Sequence, residues 1–383
     1  MQRGRRTGLV FLLATVVAVG TSWADEQETP AVLPRDADKE LLSALGESFE
    51  IHPTKHFLIY CNTTRVFTLN RALLFEKLYE VYDETLEQIG LKLRTSGGRL
   101  TVLLFEDGQA FRKYLGGEVP PGVGGVYMQD RNQIVFFDAN SDPEYLETKA
   151  ILSAVSEELR GIRRVITGIR HPTAKLRYTR IIGKYQQEIK SYEDKLEGLI
   201  ANSNVAVTIH EATHALSFNL GPFDLASRPP RWLAEGMATF FETPRVGRWR
   251  GAARFNAPRF IAYREAKKDG KLPPLSAIVT NEKLLMQGET VEAAYGASWS
   301  LFYFLYHQHP SGCAEMLQTL RVPTEPPADD AEKTSRAEAL TRSFETTVGQ
   351  PLDVVETEWH TYMLSCAEEF ARDIEGWERS VNP

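Results

Sequence analysis

Residues 210–214 read His-Glu-Ala-Thr-His, and Glu235 follows 21 positions after the second histidine, inside the run Arg-Trp-Leu-Ala-Glu-Gly-Met-Ala-Thr-Phe-Phe-Glu at 231–242. No other feature restricts the fold as much. Side chains four apart lie one above the other on a helix. His210 and His214 therefore offer two imidazole nitrogens to one point, and Glu211 stands beside them, in reach of a water held there. A carboxylate from a second helix completes three ligands and leaves a fourth position open, the arrangement that catalytic zinc requires. The breakers agree with two crossing helices: Gly221-Pro222 ends the first segment, and Pro229-Pro230 and Pro244 bound the second. Asn202, Ser203 and Asn204 are candidate caps for the start of the first helix. Glu235 sits among apolar neighbours, where an unpaired carboxylate is costly and a cation beside it removes the cost.

The run Trp232-Leu233-Ala234-Glu235-Gly236-Met237-Ala238-Thr239, behind this His-Glu-x-x-His, resembles the gluzincin clan of zinc metallopeptidases. Within the clan it is similar to the aminopeptidase-N-like and thermolysin-like families and to a bacterial family of secreted, uncharacterised peptidases. The likeness spans about residues 50–370 loosely and 205–305 well. It implies His210, His214 and Glu235 as ligands of Zn2+, and Glu211 as the general base in hydrolysis of a peptide bond. Tyr295-Gly296-Ala297-Ser298 resembles the clan's Tyr-x-x-Gly-Ala-x segment, implying that the Tyr295 hydroxyl stabilises the oxyanion; here the tyrosine directly precedes its glycine. The Gly-x-Met-Glu-Asn segment that binds a free amino terminus in aminopeptidases is missing, so endopeptidase action or a narrower hydrolase is the expectation. Glu242 and Thr239 are candidate acceptors for the second ring nitrogens of the histidines. The clan likeness also suggests that the strand Val126–Met128 is an edge that pairs with an extended peptide or protein substrate. Two rival readings stay open. One is a non-catalytic zinc scaffold that binds a partner, although such a scaffold has no need of Glu211. The other is a hydrolase of cell-wall amide bonds.

Other chemistries lack their residues. Gly296-Ala297-Ser298-Trp299-Ser300 misses the last glycine of a serine-hydrolase elbow, and Gly122-Val123-Gly124 misses the third glycine of a dinucleotide loop. His171, His307, His309 and His360 offer no shared ligand face.

Length and charge place the chemistry. With 383 residues the chain holds one large or two ordinary domains. Met1–Ala24 reads as a secretory signal: Arg3, Arg5 and Arg6, then the short apolar run Leu9–Val19, then Ser22-Trp23-Ala24. The expected location is therefore secreted or periplasmic. Removing those three arginines takes the net charge from −7 to −10, which argues against nucleic acid as a general partner. No later segment is long and apolar enough to span a membrane. Of three cysteines, Cys313 and Cys366 are a candidate disulfide in an oxidising compartment.

The expected class is α+β. Residues 25–48 read as a flexible leader. Residues 49–143 read as an α/β subdomain with strands at His56–Cys61 and Leu100–Phe105, helices at Leu69–Ile89 and Gln109–Leu115, and a hairpin of Val126–Met128 with Gln133–Phe137. Residues 144–200 carry two heptad-like stripes, Leu152 to Ile169 and Tyr178 to Leu199. They predict an antiparallel helical hairpin turning at Gly168–Thr173, either self-packed or a docking arm for a protein partner. Residues 201–310 form the zinc-binding helical part and 311–383 a helical end. Within that end Pro323–Ala339 reads as a surface loop and Leu340–Phe370 as two closing helices. Arg245, Arg248, Arg250, Arg254 and Arg259 crowd one stretch, either as a solvated face paired with acids or as an anion site.

Overall fold

Short, almost continuous apolar runs in the amino-terminal part build a five-stranded mixed sheet whose inner strands are buried on both faces. The computed structural model describes residues 35–381 other than 96, 117–118, 120–122, 227, 287–290 and 323–326. The segment read as a signal, 1–24, lies outside the described residues. The first elements are α1 (Arg35–Leu45), β1 (Glu50–Pro53), β2 (Phe57–Cys61), α2 (Arg65–Glu87), β3 (Leu100–Phe105), α3 (Gly108–Tyr114), β4 (Gly125–Met128) and β5 (Gln133–Phe137). The strand order is β1-β2-β3-β5-β4, with β2, β3 and β5 parallel and the two outer strands antiparallel to their neighbours. This places β4 at an edge. Phe57, Ile59, Val102, Leu104, Ile134 and Phe136 face one side, onto Phe75 and Leu78 of α2. Tyr60, Leu103, Phe105, Val135 and Phe137 face the other, onto Phe111 of α3.

Two details differ from the sequence-based expectation. Residues 35–45, expected within a flexible leader, form α1, because Leu41, Leu42 and Leu45 recur at helical spacing and pack against the outer sheet face. The four-residue β1 is an additional strand; it joins the sheet through antiparallel pairing with β2.

The helical hairpin is present. α4 (Pro143–Thr167) starts at the Asp142 cap, and α5 (Pro172–Asn219) at the His171 cap. Each has proline at its first turn, where the missing N–H is harmless. However, α5 does not end and restart near residue 203. It runs unbroken from the hairpin turn through both motif histidines. Asn202 and Asn204, expected as caps, instead bond sideways. The Asn204 side chain accepts from the Ala139 amide at 3.0 Å, and the Asn202 side-chain Oδ1 accepts from the Gly247 amide at 2.8 Å. The stripes are half used: Ile166 and Ile182 are buried, while Val155, Ile162, Tyr178, Tyr185 and Tyr192 stay 39–52% exposed.

From Ile200 onward α5 enters the core, and the helical half closes around it. α6 (Arg231–Phe241) is followed by the short β6 (Pro244–Arg245) and β7 (Arg248–Trp249), then α7 (Ala257–Lys268), α8 (Leu275–Thr280), α9 (Val291–Gln308), α10 (Pro310–Thr319), α11 (Asp330–Val348), α12 (Leu352–Glu369) and α13 (Ala371–Val381). Nearly every side chain of α9 is buried, so this helix is apolar all round. Residues 330–339, expected as loop, are the start of α11: the Asp329 carboxylate caps it, and Asp330 and Glu332 suit the positive end of its dipole. Cys313 and Cys366 are free thiols, each packed in the apolar core, so the candidate disulfide is not formed. No helix among the described residues is long and apolar enough to cross a membrane.

Candidate metal centre

The buried half of α5 carries His210 and His214, and α6 crosses it carrying Glu235. α6 in turn packs closely on α9 because position 236 is glycine. A Cβ there would stand 2.6 Å from the Ser298 carbonyl oxygen of α9. The start of α6 has no side-chain cap of its own; both Glu282 carboxylate oxygens accept from the Arg231 amide at 3.2 Å. These contacts fix how far Glu235 reaches toward α5.

The three side chains converge. His210 Nε2 lies 3.0 Å from Glu235 Oε2 and 3.2 Å from His214 Nε2, and His214 Nε2 lies 3.6 Å from the same carboxylate oxygen. A tetrahedral ion with bonds of about 2.05 Å separates its ligand atoms by roughly 3.3 Å. The observed triangle therefore matches the face of such a tetrahedron. His210 and Glu235 are buried, and His214 retains 9% exposure. Among the described residues this is the cluster able to hold a metal ion.

The surroundings hold the ligands in orientation. His210 Nδ1 donates to Glu242 Oε2 at 3.1 Å, so its Nε2 is the atom turned to the ion site. Glu242 is gripped by Arg259, whose Nη2 lies 3.0 and 3.1 Å from its two oxygens. The Asn256 side-chain Nδ2 donates to the Glu242 backbone carbonyl oxygen. Burial raises the Glu242 carboxyl, but Arg259 and His210 outweigh it and hold it below its usual range. Burial pulls His210 down, yet Glu235 and Glu242 together push it up to about 10. Thr239, the other candidate acceptor, does not reach a histidine; its hydroxyl donates back to the Glu235 carbonyl oxygen at 2.7 Å, the local bond open to a threonine inside a helix.

Glu211 is 1% exposed, and burial raises its carboxyl. Its Oε2 accepts from the Tyr127 amide of β4 at 2.6 Å, while its Oε1 is buried with no hydrogen-bond partner. That orphaned oxygen beside the cluster fits a site built for a further group. β4 comes this close because position 125 is glycine: a Cβ there would meet Val207 of α5 at 2.6 Å. Tyr295, on the second turn of α9, is buried, with its ring 6.4 Å from that of His210 and the Arg259 guanidinium 5.1 Å above it. Burial and then the Glu235 charge push its hydroxyl well above the usual range.

The arginine crowd divides. Arg259 is buried on Glu242, whereas Arg245 and Arg250 meet Asp373 of α13 at the surface. Sequence reasoning named Glu242 but missed Arg259 as its anchor, because nothing in the run of five arginines marks the one that turns inward.

Residues 204–329 match a family described as Protein of unknown function (DUF1570), a span that includes the buried end of α5 with both histidines, all of α6, and Tyr295. No curated protein and no solved structure matches the chain.

Proposed function

We propose that this chain is a zinc-dependent metallopeptidase of gluzincin type, cleaving within peptide chains. The observation that carries the reading is the triangle of His210, His214 and Glu235 with the unpartnered Glu211 oxygen beside it. The ligand set of two imidazoles and one carboxylate suits zinc. Bound there, zinc supplies Lewis acidity at the reacting centre. Glu211 takes the proton of the attacking water and delivers it to the leaving nitrogen; burial raises its carboxyl, which favours holding the proton between the two steps. The Tyr295 hydroxyl, kept protonated by burial, donates to the charge that develops on the carbonyl oxygen. β4 offers an edge beside Glu211 along which an extended substrate lies. The basic start and apolar run of Met1–Ala24 support export.

The test is a peptide-library digest with and without chelator, alongside metal analysis. Glu211→Gln is expected to retain zinc and lose about 10²–10⁴-fold in kcat, and Tyr295→Phe about 10²-fold with KM little changed. Native protein saturated with zinc that cleaves nothing in the library, or a Glu211→Gln variant as active as native, refutes the reading.

A further inference from the structure

The tip of the helical hairpin has a composition unlike the rest of the chain. Residues 159–187 contain eight cations, Arg160, Arg163, Arg164, Arg170, Lys175, Arg177, Arg180 and Lys184, and no acid. All eight are exposed; Arg160 and Arg164 meet Glu157 at 3.3 and 3.5 Å and Lys184 meets Glu188 at 3.7 Å, while Arg163, Arg170, Lys175, Arg177 and Arg180 form no ion pair among the described residues. The remainder of the chain holds 36 cations against 51 acids, a net of −15. The tip also exposes apolar side chains: Val165 at 74%, Leu176 at 62%, Tyr185 at 52% and Ile162 at 44%. On α5, Arg177, Arg180 and Lys184 form one row by helical spacing, and Ile181 and Tyr185 form the row beside it. The Arg163 bond to Gln186 at 3.1 Å sets the register between the helices and brings Ile162 level with Tyr185.

We propose that this tip docks on an anionic phospholipid surface. Cations with interleaved aliphatic and tyrosine side chains are what the interface between headgroups and acyl chains accepts. Each cation near such a surface adds about 1 kcal/mol of attraction. Nucleic acid fits less well, since its phosphates leave Val165, Leu176 and Ile181 without a counterpart. A protein partner fits less well too: a convex two-helix tip offers little of the roughly 1,000 Å² that a specific interface needs. The tip stands about 40 Å along α5 from Ile200, where the helix enters the core. That is several times the Debye length of about 8 Å at physiological ionic strength, so the acidic body does not cancel the field of the tip, whose ion-paired acids, Glu157 and Glu188, lie at its lower edge. The same acidity turns the body away from the surface and orients the molecule tip-first. The tip shares no residue with the metal centre.

The test is co-sedimentation of the full chain with vesicles of phosphatidylcholine containing one quarter phosphatidylglycerol. Phosphatidylcholine alone is the reference. Arg170→Ala/Arg177→Ala/Arg180→Ala is expected to weaken partitioning onto the anionic vesicles by roughly 100-fold, and Val165→Ser/Leu176→Ser by about tenfold or more. Far-ultraviolet circular dichroism checks that both variants keep native helicity. Partitioning onto anionic vesicles that the triple substitution leaves unchanged overturns the proposal. So does duplex DNA binding by native and Val165→Ser/Leu176→Ser protein alike, with no vesicle binding, which assigns the tip to nucleic acid.

Discussion

Glu242 touches His210 and not the candidate ion site, so any effect it has on metal binding passes through that ring and rests on its charge. A carboxylate behind a ligating imidazole fixes the ring and raises its basicity, and losing such a partner lowers metal affinity by about 10–100-fold. Glu242→Gln keeps an oxygen for the His210 N–H and loses the charge, so it is expected to weaken zinc binding within that range. Competition against a chromophoric chelator measures it. An unchanged affinity would make the bond at 3.1 Å purely structural. Both side chains of the Glu242–Arg259 pair are nearly buried, so the variant is also expected to lose stability, because Arg259 is left without a carboxylate. At this scale the sequence is informative wherever geometry is local. His210, Glu211 and His214 follow from helical spacing alone, and Glu235 from an acid in an apolar helix. Arg259 is hidden because its partner lies on another helix, and a run of five arginines gives no sign of which one turns inward.

Helix crossings explain why the glycines of the two motif segments sit where they do. Gly236 lets α6 meet α9, and Gly296 lets α9 meet α7, where a Cβ would stand 2.6 Å from the Tyr263 amide nitrogen. Both obstacles are backbone and cannot swing away. Gly236→Ala gains about 1 kcal/mol of helix propensity but overpacks the crossing by about 1–3 kcal/mol or more. The expected net result is destabilisation together with weaker metal binding, since α6 carries Glu235. Gly161 and Gly183 also lie in helices, but a methyl group added at either would meet nothing within 4 Å. Alanine there is expected to stabilise by about 0.5–1 kcal/mol. Denaturant melts of these variants decide it, and equal effects at all three positions would dismiss the crossing argument. Strands and most helices are legible because periodicity is a local signal. The unbroken course of α5 is not. Asn202-Ser203-Asn204 has the composition of a helix start, and only its sideways bonds to residues 139 and 247 remove that meaning. The start of α11 is concealed for the opposite reason, an acidic cap and first turn that resemble loop composition.

The molecule as a whole divides into a body with a core on each face of its sheet and a hairpin that adds little to either. Within 144–199 the buried apolar residues are Tyr145 at the base and Ile166 and Ile182, whose register sets them against each other inside the hairpin. Burying an isoleucine is worth about 1.5–3 kcal/mol, but this gain is internal to the arm and leaves with it. The base is held separately, by the Asn204 side chain on the Ala139 amide and by the Arg71 bond to the Asn204 carbonyl oxygen at 2.7 Å. Lys149 and Glu197, 3.7 Å apart, mark a level where the two helices can be rejoined. Replacing residues 150–196 by a glycine-serine loop of about four residues, an ordinary length for a helix–helix connection, is therefore expected to leave the body folded. Its melting temperature should stay within about 4 °C of native, corresponding to roughly 1–2 kcal/mol, with zinc affinity unchanged and vesicle binding abolished. Collapse of the shortened chain, or loss of its metal with the fold intact, would mean that the arm supports the centre through the shared helix α5 and is not the separable module its packing describes.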